Sequence, residues 1–326
     1  MPSDTPHPSA LPTNVAAAAA AAPRVTVLMA VRDEARFLPV AVDSVLGQCF
    51  SDFELLVVDD ASADATPAVL AAAAARDHRV RVVRNDRNLG LTASLNRGLA
   101  LAAGAFVGRL DGDDVARRDR LAAQVAFLDA NPAVGIVGSS RTVVDEAGGF
   151  LYHAAALESD RDIRWRLLLG NPLAHPTVMI RRGVLAAHGL RYDESFRTAQ
   201  DYELWTRLLT VTRAANLPDA LVTYRRRAGG VSLSRREEQL AAHDRIAHLA
   251  IGRLVPGLPV SAEDVRQLRG RFGGQSVREP DMDPADEQWV ERLAALRAAF
   301  DSVEQRGGIT ARPVDTFLSP DGAEAP

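Results

Sequence analysis

Three carboxylates fall within four residues at Asp111-Gly112-Asp113-Asp114, just after the apolar run Gly104-Ala105-Phe106-Val107-Gly108. The run reads as a short buried strand, so the acids stand where it ends. Like charges at that density repel unless something positive sits among the oxygens. Mg²⁺ or Mn²⁺ would suit, because such an ion takes one or two carboxylates and leaves other positions to water and phosphate. The same residues also make an ordinary solvated turn, since Asp and Gly are turn formers.

Two other uses of these acids fail on spacing. An EF-hand loop counted from Asp111 needs Gly sixth and Glu twelfth, and the chain has Ala116 and Ala122 there. A phosphate-binding P-loop needs Gly-Lys-Ser/Thr. The sequence contains no lysine, so all 38 residues counted as Lys+Arg are arginine. That excludes the P-loop and Schiff-base lysine chemistry alike. Further acids with chemical potential are Asp59-Asp60, after the apolar run Phe53–Val58, and Asp201 in Thr198-Ala199-Gln200-Asp201-Tyr202. Taken alone, Asp201 near a helix start reads first as an N-cap.

Composition sets the class. The 326 residues are 47% hydrophobic and 25% charged, as in globular proteins, and can bury one large core or two. A formal net charge of -4 gives no case for nucleic-acid binding. The single Cys49 rules out an internal disulfide and fits a reducing, cytoplasmic compartment. No run approaches the ~20 apolar residues of a membrane span, and Ala16–Ala22 lacks the positive flank of a signal peptide. Membrane contact is expected to be peripheral at most, through arginine clusters such as Arg225-Arg226-Arg227.

The acids must be positioned by alternating elements. Val25–Val31, Phe53–Val58, Val80–Val83 and Gly104–Gly108 read as strands, separated by helical patterns around Phe37–Gln48, Thr66–Ala75 and Leu91–Leu99. Strand-helix alternation with short connections predicts an α/β fold with a mostly parallel sheet. In such a sheet Asp60 and Asp111–Asp114 share one edge, where ligands bind. The loop after the first strand, Arg32-Asp33-Glu34-Ala35-Arg36, has no glycine, which excludes a dinucleotide-binding turn. Val143-Val144 and Phe150–Tyr152 suggest a hairpin, and His175–Ile180 a further strand. Beyond Tyr224 the patterns are helical, with Ser261 and Asp264 spaced as a capping box and Trp289, Leu293, Leu296 and Phe300 as a packing stripe. Expected boundaries are a tail at 1–23, a main domain at 24–235, a helical extension at 236–308 and a tail at 309–326.

Taken together, the chain resembles the inverting family 2 glycosyltransferases of GT-A fold. The matching pieces are Val25–Ala35, Ser44–Gln48, Asp52–Ser62, Asn88-Leu89-Gly90, Asn96-Arg97-Gly98, Leu110–Asp114, His175–Met179 and Gln200–Trp205, in the family's order. The resemblance implies transfer of a sugar from a nucleoside-diphosphate donor, UDP favoured, to a glycan or lipid-linked acceptor, assisted by Mn²⁺ or Mg²⁺. It implies that Asp60 binds the base, that Ala30, Arg32 and Asp33 contact the nucleoside, and that Asp111, Asp113 and Asp114 form the DxD region. Asp113 or Asp114 is then the direct metal ligand, and Asp201 the general base.

The chain departs from the family's usual pattern in three places. Arg32-Asp33 stands for Tyr-Asn, Gln200 for a Glu before the base, and Tyr224-Arg225-Arg226-Arg227 for Tyr-Arg-x-His. Arg227 or Arg225 is therefore expected on the diphosphate, and His175 and Gln200 are candidates for the acceptor cleft. The departures leave open a rival, a nucleotide-sugar-binding protein of the same fold that has lost its chemistry. A receiver-type signalling domain built on Asp59-Asp60 would need a lysine that is not there.

Overall fold

The computed structural model describes residues 22–227, 236–272 and 287–306. The expected C-terminal tail, the helix-ending Gly307-Gly308 and most of the expected N-terminal tail lie outside the described residues.

Among the described residues the strands are β1 (Val25–Val31), β2 (Phe53–Asp59), β3 (Val80–Arg84), β4 (Phe106–Arg109), β5 (Val115–Ala116), β6 (Val134–Val144), β7 (Phe150–Ala154), β8 (Met179–Arg181) and β9 (Arg213–Arg225). They form one sheet in the order β3-β2-β1-β4-β8-β6-β9-β5, with β7 paired to β6. Pairing is parallel from β3 through β4 and mixed beyond, because β8 runs against both β4 and β6. Between β1 and β3 lie α1 (Leu38–Leu46) and α2 (Thr66–Arg76). They are followed by α3 (Leu91–Leu101), α4 (Arg120–Ala130), α5 (Asp160–Leu167), α6 (Arg182–Ala187) and α7 (Gln200–Leu208).

The unbroken hydrophobicity of β1 and β2 follows from burial on both faces. Successive side chains of a strand point to opposite faces. Accordingly Val27, Met29, Leu55 and Val57 join one apolar cluster with α1, α2 and α4. Leu28, Leu56 and Val58 join the other, with α3, α5 and α7.

Register places the chemistry. Val31 pairs with Asp59 and Leu28 with Arg109, so β1, β2 and β4 deliver their following loops to one edge. The hairpin of β6 and β7 forms as expected. The expected strand at His175–Ile180 is shorter: His175–Thr177 is a 3-10 turn, and only Met179–Arg181 pairs. Pro176 has no N–H to give a ladder, which disfavours strand there.

Among the described residues three helices follow, α8 (Arg236–Leu254), α9 (Ala262–Phe272) and α10 (Glu287–Gln305). The capping box of α9 is present: Asp264 N–H donates to Ser261 Oγ at 3.1 Å, and Ser261 N–H to Asp264 Oδ2 at 3.2 Å. Ile246, Ile251, Val265, Leu268, Leu296 and Phe300 pack into the cluster that holds α5 and α7. None of the helices is long and apolar enough to cross a membrane, among the described residues.

Candidate active site

The acidic turn is fastened where it leaves β4. Arg109 N–H donates to the Val178 carbonyl at 2.9 Å and Leu110 N–H to that of Leu28 at 3.2 Å. Gly112 lies so close to β1 that a Cβ there would stand 2.9 Å from Val31 Cγ1, so only glycine fits without a shift. Oxygens of Asp111, Asp113 and Asp114 come within 4.8 Å of one another, a spacing that a single cation can bridge. Asp114 is fully buried. Its Oδ1 accepts the Arg225 N–H at 2.8 Å, while Oδ2 has no partner, an expensive state for a buried carboxylate.

Arginines surround the cluster. Arg109, buried under the cleft, pairs with Asp111. Arg225 Nε donates to the Asp113 carbonyl at 3.2 Å, and its NH1 reaches the Glu146 carbonyl at 3.1 Å. Arg227 Nε meets Asp113 Oδ2 at 2.8 Å, and its two terminal nitrogens grip Glu34 at 3.0 and 2.7 Å. Burial, reinforced by Asp111, still pushes the Asp113 carboxyl up to about 6. Burial next to Asp111 and Asp113 drives Asp114 well above its ordinary value. Burial also raises Glu34, with Arg227 opposing.

The β1 and β2 ends build the neighbouring wall. Asp60 Oδ1 accepts Asn85 Nδ2 at 2.7 Å and Leu89 N–H at 2.8 Å, and Oδ2 accepts Gly90 N–H at 2.8 Å. Gly90 carries φ +89, which favours glycine. A carboxylate offers about four lone-pair positions, so Asp60 keeps one on Oδ2 for a ligand. Ala30 and Arg32 face the cleft. Asp33 is turned elsewhere: its Oδ1 accepts Ala63 N–H at 2.7 Å, tying the two loops together. That hydrogen bond is the leading cause holding its carboxyl below the usual range.

Asp201 stands at the start of α7 but does not cap it. The cap position is Ala199, at φ 57 in the left-handed region, with no side-chain cap bond. Asp201 Oδ2 instead accepts Asn171 Nδ2 at 2.7 Å. Burial raises the Asp201 carboxyl, opposed by the Tyr202 N–H, Asn171 and the charge of Arg109. Gln200, buried beside it, also lines the cleft. His175 is both wall and packing: Nε2 lies 2.8 Å from Tyr192 Oη, and its ring meets Tyr192 and Trp205 edge-on. Burial and Arg109 keep it neutral, well below the ordinary histidine value.

One cavity of about 1790 Å³ joins these parts, lined by Ala30, Arg32, Asp60, Asp111, Asp113, His175, Gln200, Asp201, Arg225 and Arg227. Asp114 lies beneath its floor, and Asp33 is not in its wall. No role for Glu34, for Asn171 or for Arg109 is read from the sequence, although Arg109 opens the acidic stretch. Their partners lie at the end of β9, in the acidic turn and in α7, and no local pattern announces such pairings. Arg225 is spent on holding the acidic turn, which separates its place from that of Arg227.

The model of glycosyl transferase family 2 matches residues 26–189. An uncharacterized glycosyltransferase of Haemophilus influenzae is 28% identical over 211 residues, covering 62% of this chain and 65% of that protein. The succinoglycan biosynthesis protein ExoO of Rhizobium meliloti is 33% identical over 222 residues, covering 64% of this chain and 63% of that protein. The chain thus spans less than two thirds of the length of either relative. Among solved structures, S. aureus TarS 1-349 in complex with UDP-GlcNAc superposes with TM-score 0.60 at 19% identity, over 87% of this chain and 92% of that one. The mannosyltransferase PcManGT of Pyrobaculum calidifontis, in complex with GDP-Man and Mn2+, gives TM-score 0.54 at 20% identity, over 87% and 88%. The sheet with its acid-bearing edge is the GT-A fold, and the chain belongs to glycosyl transferase family 2.

Proposed function

We propose that the protein moves a sugar from a nucleoside-diphosphate donor to an acceptor hydroxyl with inversion, in the assembly of a polysaccharide or glycoconjugate. The observation that carries this reading is the convergence of Asp60, Asp111, Asp113 and Asp201 on one cavity, although they are up to 141 residues apart in sequence. A relative named for succinoglycan biosynthesis supports the pathway class, and neighbours holding UDP-GlcNAc and GDP-Man support the donor class.

Asp60 and the β1 loop with Arg32 receive the nucleoside, UDP being the favoured form. Asp113 and Asp114 would hold Mn²⁺ or Mg²⁺, with Asp111 beside them. The fit is good: three hard oxygen donors lie within reach of one ion, and Asp114 Oδ2 is buried without a partner. The cation, when bound, supplies charge stabilisation to the departing diphosphate. Arg227 adds a fixed positive charge at the same place. On the far side Asp201 takes the proton of the acceptor hydroxyl as its oxygen bonds to the anomeric carbon. The carbon–oxygen bond to phosphate breaks, and the nucleoside diphosphate leaves with the electron pair. One displacement with one base inverts that carbon. Burial favours proton uptake by Asp201, and Asn171 keeps it oriented. Residues 24–235 form the transferase domain and 236–308 its helical extension. The chain works in the cytoplasm, with membrane contact no more than peripheral.

Incubation with UDP-GlcNAc, UDP-glucose or GDP-mannose and Mn²⁺ should release nucleoside diphosphate. The release should slow by about 10²–10⁴-fold in Asp201→Asn, with UDP binding kept. Nucleotide binding without turnover of any donor, in the wild type, would favour a binding protein instead.

A further inference from the structure

Among the described residues three arginines keep 3% exposure or less, Arg109, Arg120 and Arg164. Two of them are well-bonded structural donors. Arg120 donates to the Gln124 side chain and to the carbonyls of Arg109 and Val178. Arg164 donates to Asp160 and to the carbonyls of Leu209 and Thr212. Arg109 differs: its Nε makes no hydrogen bond, and NH1 meets Asp111 only as an ion pair. Burying a guanidinium with donors unfilled is costly, so packing alone does not explain it. What Arg109 brings to its place is charge.

The strand aims that charge at the second half of the cleft. Side chains alternate along β4, so Arg109 shares a face with Val107, which packs in the cluster holding α5 and α7. Phe106 joins the opposite cluster. Arg109 and Asp201, in the first turn of α7, line the same cavity. The main chain of Arg109 is pinned: its N–H donates to the Val178 carbonyl at 2.9 Å, and its own carbonyl accepts Arg120 at 2.7 Å. Other groups around Asp201 are neutral. Asn171 is an amide, burial keeps the Tyr192 phenol protonated, and burial with Arg109 keeps His175 uncharged. Arg109 supplies the positive charge that opposes the burial of Asp201.

We propose that Arg109 is a positioning residue of the transfer, a fixed counter-ion shared by Asp111 in the acidic turn and Asp201 on α7. An incoming diphosphate brings negative charge that would favour a proton on Asp201, and the shared cation offsets it. The proposal rests on the transferase reading, with Asp201 as the base.

The test follows nucleoside-diphosphate release from UDP-GlcNAc, UDP-glucose and GDP-mannose with Mn²⁺ as a function of pH. In Arg109→Gln the acid limb of kcat should move up by about one pH unit, the scale of one lost opposite charge. At about pH 8.5 kcat should return close to the wild-type value, whereas a damaged fold would lower it at every pH. Arg109→Lys should restore the limb, because the charge is kept and the hydrogen bonds of the fork are not used. Independently of any donor, ¹³Cγ-aspartate NMR follows the carboxyl of Asp201, with Asp201→Asn assigning its signal. The midpoint should rise in Arg109→Gln by the same amount as the limb. Should that variant fail to fold, Arg109→Gln with Asp111→Asn removes both charges of the pair, and its Asp201 midpoint should lie above that of Asp111→Asn alone. An Asp201 midpoint indifferent to Arg109 would overturn the proposal. So would a midpoint that moves while the acid limb of an active enzyme does not. Should no donor turn over while the midpoint still follows Arg109, the transferase reading falls and the shared counter-ion stands.

Discussion

Asn171 donates from Nδ2 to Oδ2 of Asp201 at 2.7 Å, reaching from the end of α5 to the first turn of α7 across 30 residues. The bond favours the ionised carboxylate against the burial that would protonate it. A carboxylate held this way has a directed oxygen and a pKa above the ordinary aspartate value.

Asp201→Asn should lower kcat by about 10²–10⁴-fold, the usual worth of general-base help, without changing UDP affinity. Asn171→Ala removes a contact that lowers the Asp201 pKa. The acid limb of the pH–rate profile should therefore move to higher pH, so that activity is lost earlier on acidification. A profile with an unmoved acid limb would deny Asn171 this role.

Loss of the lone buried oxygen at Asp114 tests the cation. Mn²⁺ at a hundredfold excess over its Kd should stabilise the wild type by about 2.7 kcal/mol. Asp114→Asn keeps an acceptor for the Arg225 N–H but loses the charge, and its melting temperature should no longer respond to Mn²⁺. An equal response in both proteins would place the ion elsewhere.

Asp113 links stability to pH. Its folded value of about 6 exceeds the ordinary 3.8, so between those values the folded protein holds a proton that the unfolded chain has released. Its contribution therefore falls as pH rises through that window, and the full cost stands above it. Buried His175 and half-buried His243, both held neutral, pull the other way below their ordinary 6.5, so the useful quantity is a difference between proteins. Without metal, Asp113→Asn should melt higher than the wild type at pH 7.5, on the order of 2 kcal/mol, and the gap should close near pH 4. Melting curves at the two pH values check this.

Arg227→Ala should weaken UDP binding about tenfold, as expected for a lost charge-assisted contact, and reduce the salt dependence of binding. The same change frees Glu34 and Asp113 from their shared cation. Arg225 is a less clean choice for this experiment, because its guanidinium holds the Asp113 and Glu146 carbonyls and its loss would loosen the acidic turn. Titration calorimetry at two salt concentrations is the measurement.

The sheet was legible because β1, β2 and β4 are short apolar runs ended by polar residues, and burial on both faces leaves that mark. Asp60 and Asp111–Asp114 could be assigned to one edge because parallel strands deliver their loops to the same side. The mixed half of the sheet was less open to reading, since β8 has only three residues and follows a proline turn. Asp201 as a cap was a local inference overturned by a distant partner, Asn171. Glu34 and Arg227 illustrate the general limit: 193 residues separate them, and nothing near either one signals the other.

The Arg225 clamp on the acidic turn has a consequence for biosynthesis. A ribosome that has delivered Asp114 must add 111 more residues before the backbone amide that receives its carboxylate exists. Until then the nascent chain carries three acids without the cations of β9, and the pocket cannot mature in stages. Fragments ending before Arg225 should emerge with a sheet edge but no competent nucleotide seat.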